Sequence, residues 1–159
     1  LIMLDDGQLS ARRTAFPLLA RHGMPFTIAI SPAFLELGVE KQVSWADVRE
    51  MLESGLCEVA SHGHRHEDLA RLDAERAFYE LVESRRVIEA RVGVAPEVFV
   101  YPFGSSSRLV DALAEKAGYT VALTAWGFAA RHDSPRYRIP RVGMSPELTM
   151  DAIAHLWNP

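Results

Sequence analysis

Five short apolar segments, separated by stretches of helical spacing, constrain this chain more than any other feature. Leu1–Leu4, Phe26–Ile30, Glu58–Ala60, Val98–Tyr101 and Val121–Thr124 each read as a buried strand. Ser10–His22, Trp45–Ser54, Asp73–Val92 and Ser107–Ala117 lie between them and read as helices. Parallel neighbours need a crossover of a dozen or more residues, and strands recurring about every 25–30 residues with a helix between supply it. The expected fold class is therefore α/β with a parallel sheet. Five strands, with a sixth expected near Tyr137–Ile139, are too few for an eight-stranded barrel. A deformed or incomplete (β/α) barrel of about five to seven parallel strands fits better.

Local punctuation sharpens the helices. Ser10 is the expected N-cap of the first, and Pro17 inside it is expected to shift its start or kink it. Ser44 and Asp47 have capping-box spacing ahead of the second. Gly23, Gly55, Gly93 and Gly118 follow the four helices as stops. Ser31–Val43 reads as a loop, and Thr149–Trp157 as a last helix.

Composition narrows the class. The 159 residues, 48% of them apolar, fit one domain with a real core. A net charge of -4 without a basic block speaks against nucleic acid as a partner. No apolar run approaches the roughly 20 residues of a membrane span. Cys57 is the single cysteine, which excludes an internal disulfide or a cysteine metal cage. It reads as a buried small hydrophobe. The chain begins within a strand at Leu1, so the domain spanning residues 1–159 is expected to lack an N-terminal part, and its compartment cannot be read from that end.

The chemistry concentrates at strand ends. His62, His64 and His66 follow the third strand and make up half of the six histidines. Imidazole is the commonest biological metal ligand, and His62 and His66 at i and i+4 can reach one ion. Asp5-Asp6-Gly7 ends the first strand. At a turn there, one carboxylate can bind a metal while the other takes a proton. Asp6 with His62 and His66 forms a three-ligand set that leaves positions open for water and substrate, the pattern of a catalytic site. His64 has the wrong offset to join it and reads as a packing or supporting residue. Tyr101-Pro102-Phe103-Gly104 follows the fourth strand and can shape a pocket floor and aim a backbone N–H at a developing oxyanion.

These segments together resemble the polysaccharide deacetylases, the NodB-homology domains of carbohydrate esterase family 4. The resemblance rests on Asp5-Asp6-Gly7, on Ser61-His-Gly-His-Arg-His-Glu-Asp-Leu69, and on Tyr101-Pro-Phe-Gly104. Glu80-Leu-x-x-Ser-Arg85 and Tyr137-Arg-Ile-Pro-Arg-Val142 are also similar to the family, and the likeness covers essentially the whole chain. It implies a deformed (β/α) barrel of NodB type and metal-dependent removal of N-acetyl groups from an amino-sugar polysaccharide or related glycan. It assigns Asp5 as general base and Asp6, His62 and His66 as metal ligands. Phe103 would offer its backbone N–H to the oxyanion, and Tyr101, Pro102 and Trp126 would line the substrate pocket. The ion implied is divalent, with Zn2+ best suited to a nitrogen, nitrogen, oxygen set and Co2+, Ni2+ or Fe2+ compatible with it. The partner implied is a glycan bearing N-acetylated amino sugars, and the compartment implied is extracytoplasmic or the cell envelope.

The chain also departs from the family pattern. Val100 stands where many relatives carry an arginine that orients the base. Arg141 is the candidate to replace it, with Arg138 as the alternative. A late Leu-x-x-His segment usually supplies the general acid, and only Ala152-Ile-Ala-His155 resembles it. The forms at 101–104 and 138–142 resemble a circularly permuted subgroup, in which the acid lies upstream of the Asp-Asp-Gly strand. The acid is accordingly expected upstream of Leu1, with His155 as the candidate within the chain. Two other functions stay open: a non-catalytic glycan-binding domain of the same fold, and a hydrolase of another amide or an ester.

Overall fold

The computed structural model describes residues 1–125 and 130–144, together with Thr149 and Asp151. Trp126, His155 and nearly all of the expected last helix lie outside the described residues. Five strands form one parallel sheet in the order β1-β2-β3-β4-β5. They are β1 (Ile2–Leu4), β2 (Phe26–Ile30), β3 (Cys57–Ser61), β4 (Val98–Val100) and β5 (Val121–Leu123). The order never reverses. Each crossover therefore advances one strand in the same direction, and right-handed connections place all the helices on one face. A sheet covered in this way curls about its other face, giving an arc of a deformed (β/α) barrel of NodB type.

The strands sort their side chains accordingly. Phe26, Ile28, Ile30 and Val59 face outward and pack with Leu19, Val48, Met51 and Ile88 from the helical layer. Ala29, Ala60, Val100 and Leu123 cluster separately on the concave face, with Met3, Val98 and Ile139 against them. A second outer cluster joins Phe99, Tyr101 and Ala122 to Ala77, Leu81, Val110 and Ala114. Burying the apolar side chains contributes about 1.5–3 kcal/mol each. This is what holds the crossovers against the sheet.

The helices are α1 (Phe16–Arg21), α2 (Pro32–Glu36), α3 (Trp45–Glu53), α4 (Ala74–Val92) and α5 (Arg108–Lys116). The Ser44–Asp47 capping box is present in both directions. Asp73 and Ser107 cap α4 and α5 through the N–H groups of Arg76 and Val110.

Three expectations need correction. Ser10 does not cap: it already has helical angles, and its side chain makes no cap bond. A π turn at Ala11–Ala15 precedes α1, and the Phe16 N–H donates to the Ala11 carbonyl. Pro17, with no N–H for a carbonyl four residues back, marks where the ladder changes register. The stretch read as a loop at 31–43 contains α2, which begins at Pro32, where the fixed φ of proline suits a first helical turn. The strand expected at 137–139 is a single parallel bridge from Ile139 to Leu123. Pro135 and Pro140 bracket it, and neither can donate to a longer ladder. Cys57 is buried as expected, and desolvation pushes its thiol up to about 12.

Candidate active site

Parallel strands bring their carboxyl ends to one rim. Asp5, Asp6 and Gly7 follow β1, the histidine segment follows β3, Tyr101-Pro102-Phe103 follows β4, and Thr124 follows β5. Asp5 and Asp6 would face opposite ways in an extended strand. Asp6 and Gly7 instead take left-handed angles, with φ 66 and 63°, which turns the chain sharply after Asp5. A neighbouring loop holds this turn. The Val43 N–H donates to the Gly7 carbonyl at 2.8 Å. The Gln42 side-chain amide, oriented to donate, reaches the Asp6 and Gly7 carbonyls at 2.6 and 2.7 Å. Sequence reasoning missed Gln42, because a lone glutamine in a loop carries no pattern that points to a distant turn.

The histidine segment is pinned on several sides. The His62 N–H donates to the Ile30 carbonyl at 2.9 Å, and Ser31 Oγ donates to the His62 carbonyl at 2.7 Å. The Ala33 N–H donates to the His64 carbonyl at 3.0 Å. His62 Nδ1 lies 2.7 Å from the Val100 carbonyl, an acceptor only, so Nδ1 carries the proton. With that nitrogen engaged, Nε2 is the ring atom left to coordinate at the rim. His62 Nε2 lies 3.4 Å and His66 Nε2 3.2 Å from the same Asp6 oxygen, Oδ1. The ligand atoms of Asp6, His62 and His66 all fall within 4.8 Å of one another. His64 stays apart, buried edge-on against Tyr79 at 5.9 Å.

The donor set fits a divalent cation. Ligands at about 2.0–2.2 Å in tetrahedral array sit roughly 3.3–3.6 Å apart, and the two Asp6 contacts, at 3.4 and 3.2 Å, lie near that spacing. An Nε2 lone pair facing a carboxylate also sets two acceptors against each other, which a cation between them relieves. With no ion between them, rings that instead donate from Nε2 hold the Asp6 carboxyl well below the usual carboxylate range, the His62 hydrogen bond contributing most.

Asp5 has a different partner. Arg141 Nη1 and Nη2 donate to Asp5 Oδ1 and Oδ2 at 2.9 and 2.8 Å, and Nε donates to the Thr124 carbonyl at 3.0 Å. Arg138, the alternative, instead pairs with Asp111 at 2.6 Å. Phe103 is left-handed at φ 59°, is 58% exposed, and sets its ring edge-on to His66 at 4.8 Å. Tyr101 does not line a pocket. Its ring is fully buried, and its hydroxyl donates to Asp111 Oδ1 and the Tyr137 carbonyl. The residue falls on the outward face of its strand with Phe99, toward the helices. Pro102 is likewise buried, over the site of Gly63.

Comparison with known proteins bears on the family and the fold. YxkH of Bacillus subtilis (strain 168), which bears a polysaccharide deacetylase name, is 27% identical over 152 residues, 96% of this chain and 53% of that protein. The poly-beta-1,6-N-acetyl-D-glucosamine N-deacetylase of Escherichia coli (strain K12) is 24% identical over 77% of this chain and 24% of its own length. The chain thus spans about half of the first relative and a quarter of the second. The solved structure of the Streptococcus pyogenes deacetylase PplD in complex with acetate has the same fold. It matches with a TM-score of 0.93 at 17% identity, over 99% of this chain and 69% of that one. The model of the polysaccharide deacetylase family matches residues 1–122, well over half of the sequence, and the chain belongs to that family.

Proposed function

We propose that this chain is a divalent-metal-dependent deacetylase that removes N-acetyl groups from an amino-sugar polysaccharide. One observation carries this: two adjacent carboxylates at one rim have different partners. Asp6 faces two imidazoles, and Asp5 is gripped by the Arg141 fork. Asp6, His62 and His66 would hold the ion, Zn2+ suiting them best. When bound, such an ion polarises the acetyl carbonyl and acidifies its water. Asp5 takes the proton of the attacking water. Arg141 fixes the plane of that carboxylate through two parallel bonds. The Phe103 backbone N–H donates to the oxyanion as the carbonyl carbon becomes tetrahedral. The C–N bond then breaks, a proton passes to the amine, and acetate leaves. His155, outside the described residues, is the candidate proton donor within the chain. The named substrate of the Escherichia coli relative supports an N-acetylglucosamine polymer as the substrate class.

Acetate release from N-acetylglucosamine oligomers, with and without a chelator, tests the proposal. Chelation should abolish release and added Zn2+ restore it. Asp5→Asn should lower kcat about 10²–10⁴-fold while the ion still binds. Undiminished release by that variant would refute the base assignment. Binding of the oligomers without acetate release from the wild type would favour the glycan-binding alternative.

A further inference from the structure

Helix α4 carries two polar side chains on its buried face. Glu80 and Ser84 stand one turn apart, and they are 1% and 0% exposed among Ala77, Leu81, Val87 and Ile88. Ser84 Oγ lies 2.6 Å from Ser61 Oγ, the residue before His62. Glu80 Oε2 accepts the Arg65 N–H at 2.7 Å, the residue before His66. Each contact falls one residue before a histidine of the pair, His62 and His66. Between them, Gly63 has φ +74°, and an added Cβ would sit 3.6 Å from Glu80 Oε2. The chain thus passes close over the carboxylate where only glycine is unstrained.

A fully buried carboxylate is costly unless its bonds are made. Among the described residues Glu80 accepts one hydrogen bond, and the Arg65 guanidinium stands 3.9 Å away on an exposed side chain. Its Oε1 has no hydrogen-bond partner. An apolar residue at this face of α4 would serve packing better. His66 itself is left-handed at φ 59°, a conformation a histidine keeps only when its surroundings impose it. The Arg65 amide is the last anchored group before that residue.

We propose that Glu80, with Ser84 one turn on, is a positioning residue that sets the separation of His62 and His66 and so the affinity of the pair for a divalent ion. This rests on the proposed metal site but goes beyond it. The clamp acts through the Arg65 amide and touches neither ion nor substrate.

The test compares full-length wild type, Glu80→Gln, Glu80→Ala and Ser84→Ala. Zn2+ affinity is measured by competition with a chromophoric chelator, and the d–d spectrum of the Co2+ form reports ligand geometry. Thermal melting of the ion-free proteins checks folding. Glu80→Gln keeps an acceptor for the Arg65 N–H and should bind within a few-fold of wild type. Glu80→Ala should weaken binding about 10–100-fold, the usual effect of removing a group that orients a ligand, and alter the Co2+ spectrum. Ser84→Ala should show a smaller loss. Wild-type affinity and spectrum in a folded Glu80→Ala would overturn the inference, even with a lowered melting temperature. If Glu80→Ala does not fold, Glu80→Gln and Ser84→Ala decide: wild-type affinity and spectrum in Ser84→Ala, or loss of binding in Glu80→Gln as well, would overturn it. A wild-type protein that binds no ion would overturn the metal-site proposal, and this inference with it.

Discussion

At the level of single residues, the site depends on conformations that side-chain type does not announce. Asp6, His66 and Phe103 are three of the four non-glycine residues with positive φ among the described residues. Each left-handed L-residue costs about 1–2 kcal/mol, so packing and hydrogen bonds must impose it. The histidine spacing and the paired carboxylates were legible as chemistry. The turn that swings Asp6 toward both imidazoles was not, because it is held from Gln42 and Val43. Glu80 did leave a signal: a carboxylate in the apolar stripe of a helix. Arg141 offers a direct test of geometry against charge. Its fork spans both Asp5 oxygens while its Nε holds the Thr124 carbonyl, and an ammonium can serve as only a point charge. Arg141→Lys should therefore lose one charged hydrogen bond, about 1.5–3 kcal/mol, which lowers kcat roughly 10–100-fold. Zn2+ affinity should stay within a few-fold, because Asp6, His62 and His66 are untouched. Steady-state kinetics beside an ion titration separates the two. A kcat within about twofold of wild type would mean the fork does not set the base.

Among the elements, strands and long helices were readable where each carried its own period. The five strands appear within a residue or so of their apolar runs, α3 begins after its expected Ser44 cap, and α4 and α5 begin one residue inside their expected spans, with Asp73 and Ser107 as caps. Short elements were not. Helix α2 has five residues and no side-chain cap bond, and part of what orders it is the bond from the Ala33 N–H to the His64 carbonyl. The Tyr137–Ile139 strand shrank to a bridge because prolines bracket it. The turn after β1 is the element on which the site depends most. Gly7 has φ +63°, and a Cβ there would lie 3.1 Å from Ile30 Cγ2, a fully buried side chain. Gly7→Ala should destabilise by about 1–3 kcal/mol, combining the left-handed penalty with a tight core contact. For a chain of this size that is a fall of several degrees in melting temperature. A melting temperature unchanged to within about one degree would show that the turn relaxes without strain.

At the scale of the molecule, and among the described residues, a side chain ties the two ends of the arc. Strands β1 and β5 are the two edges of the sheet. Arg141 bonds the carbonyl that follows β5 and the carboxylate that follows β1, linking residues 136 apart in sequence. The hydroxyls and thiol buried beneath this frame predict how it fails in alkali. Desolvation raises the Cys57 thiol to about 12. Burial raises the Tyr101 and Tyr119 hydroxyls above the usual phenol range, with Asp111 adding to the effect at Tyr101. All three hold their protons more tightly folded than unfolded, so the folded state binds more protons once the unfolded groups begin to titrate. Stability therefore falls with rising pH in that window. Their contribution is complete below about pH 8.5 for the thiol and about 10 for the phenols, and it is lost as the pH climbs from there toward the folded values. Urea midpoints should hold steady from neutrality to about pH 8 and then drop, most steeply above about 10. Cys57→Ala, a small apolar replacement, should flatten the first part of the drop and leave the steeper part. Midpoints that stay level through the phenol range would show that the two tyrosines ionise in place without opening the core.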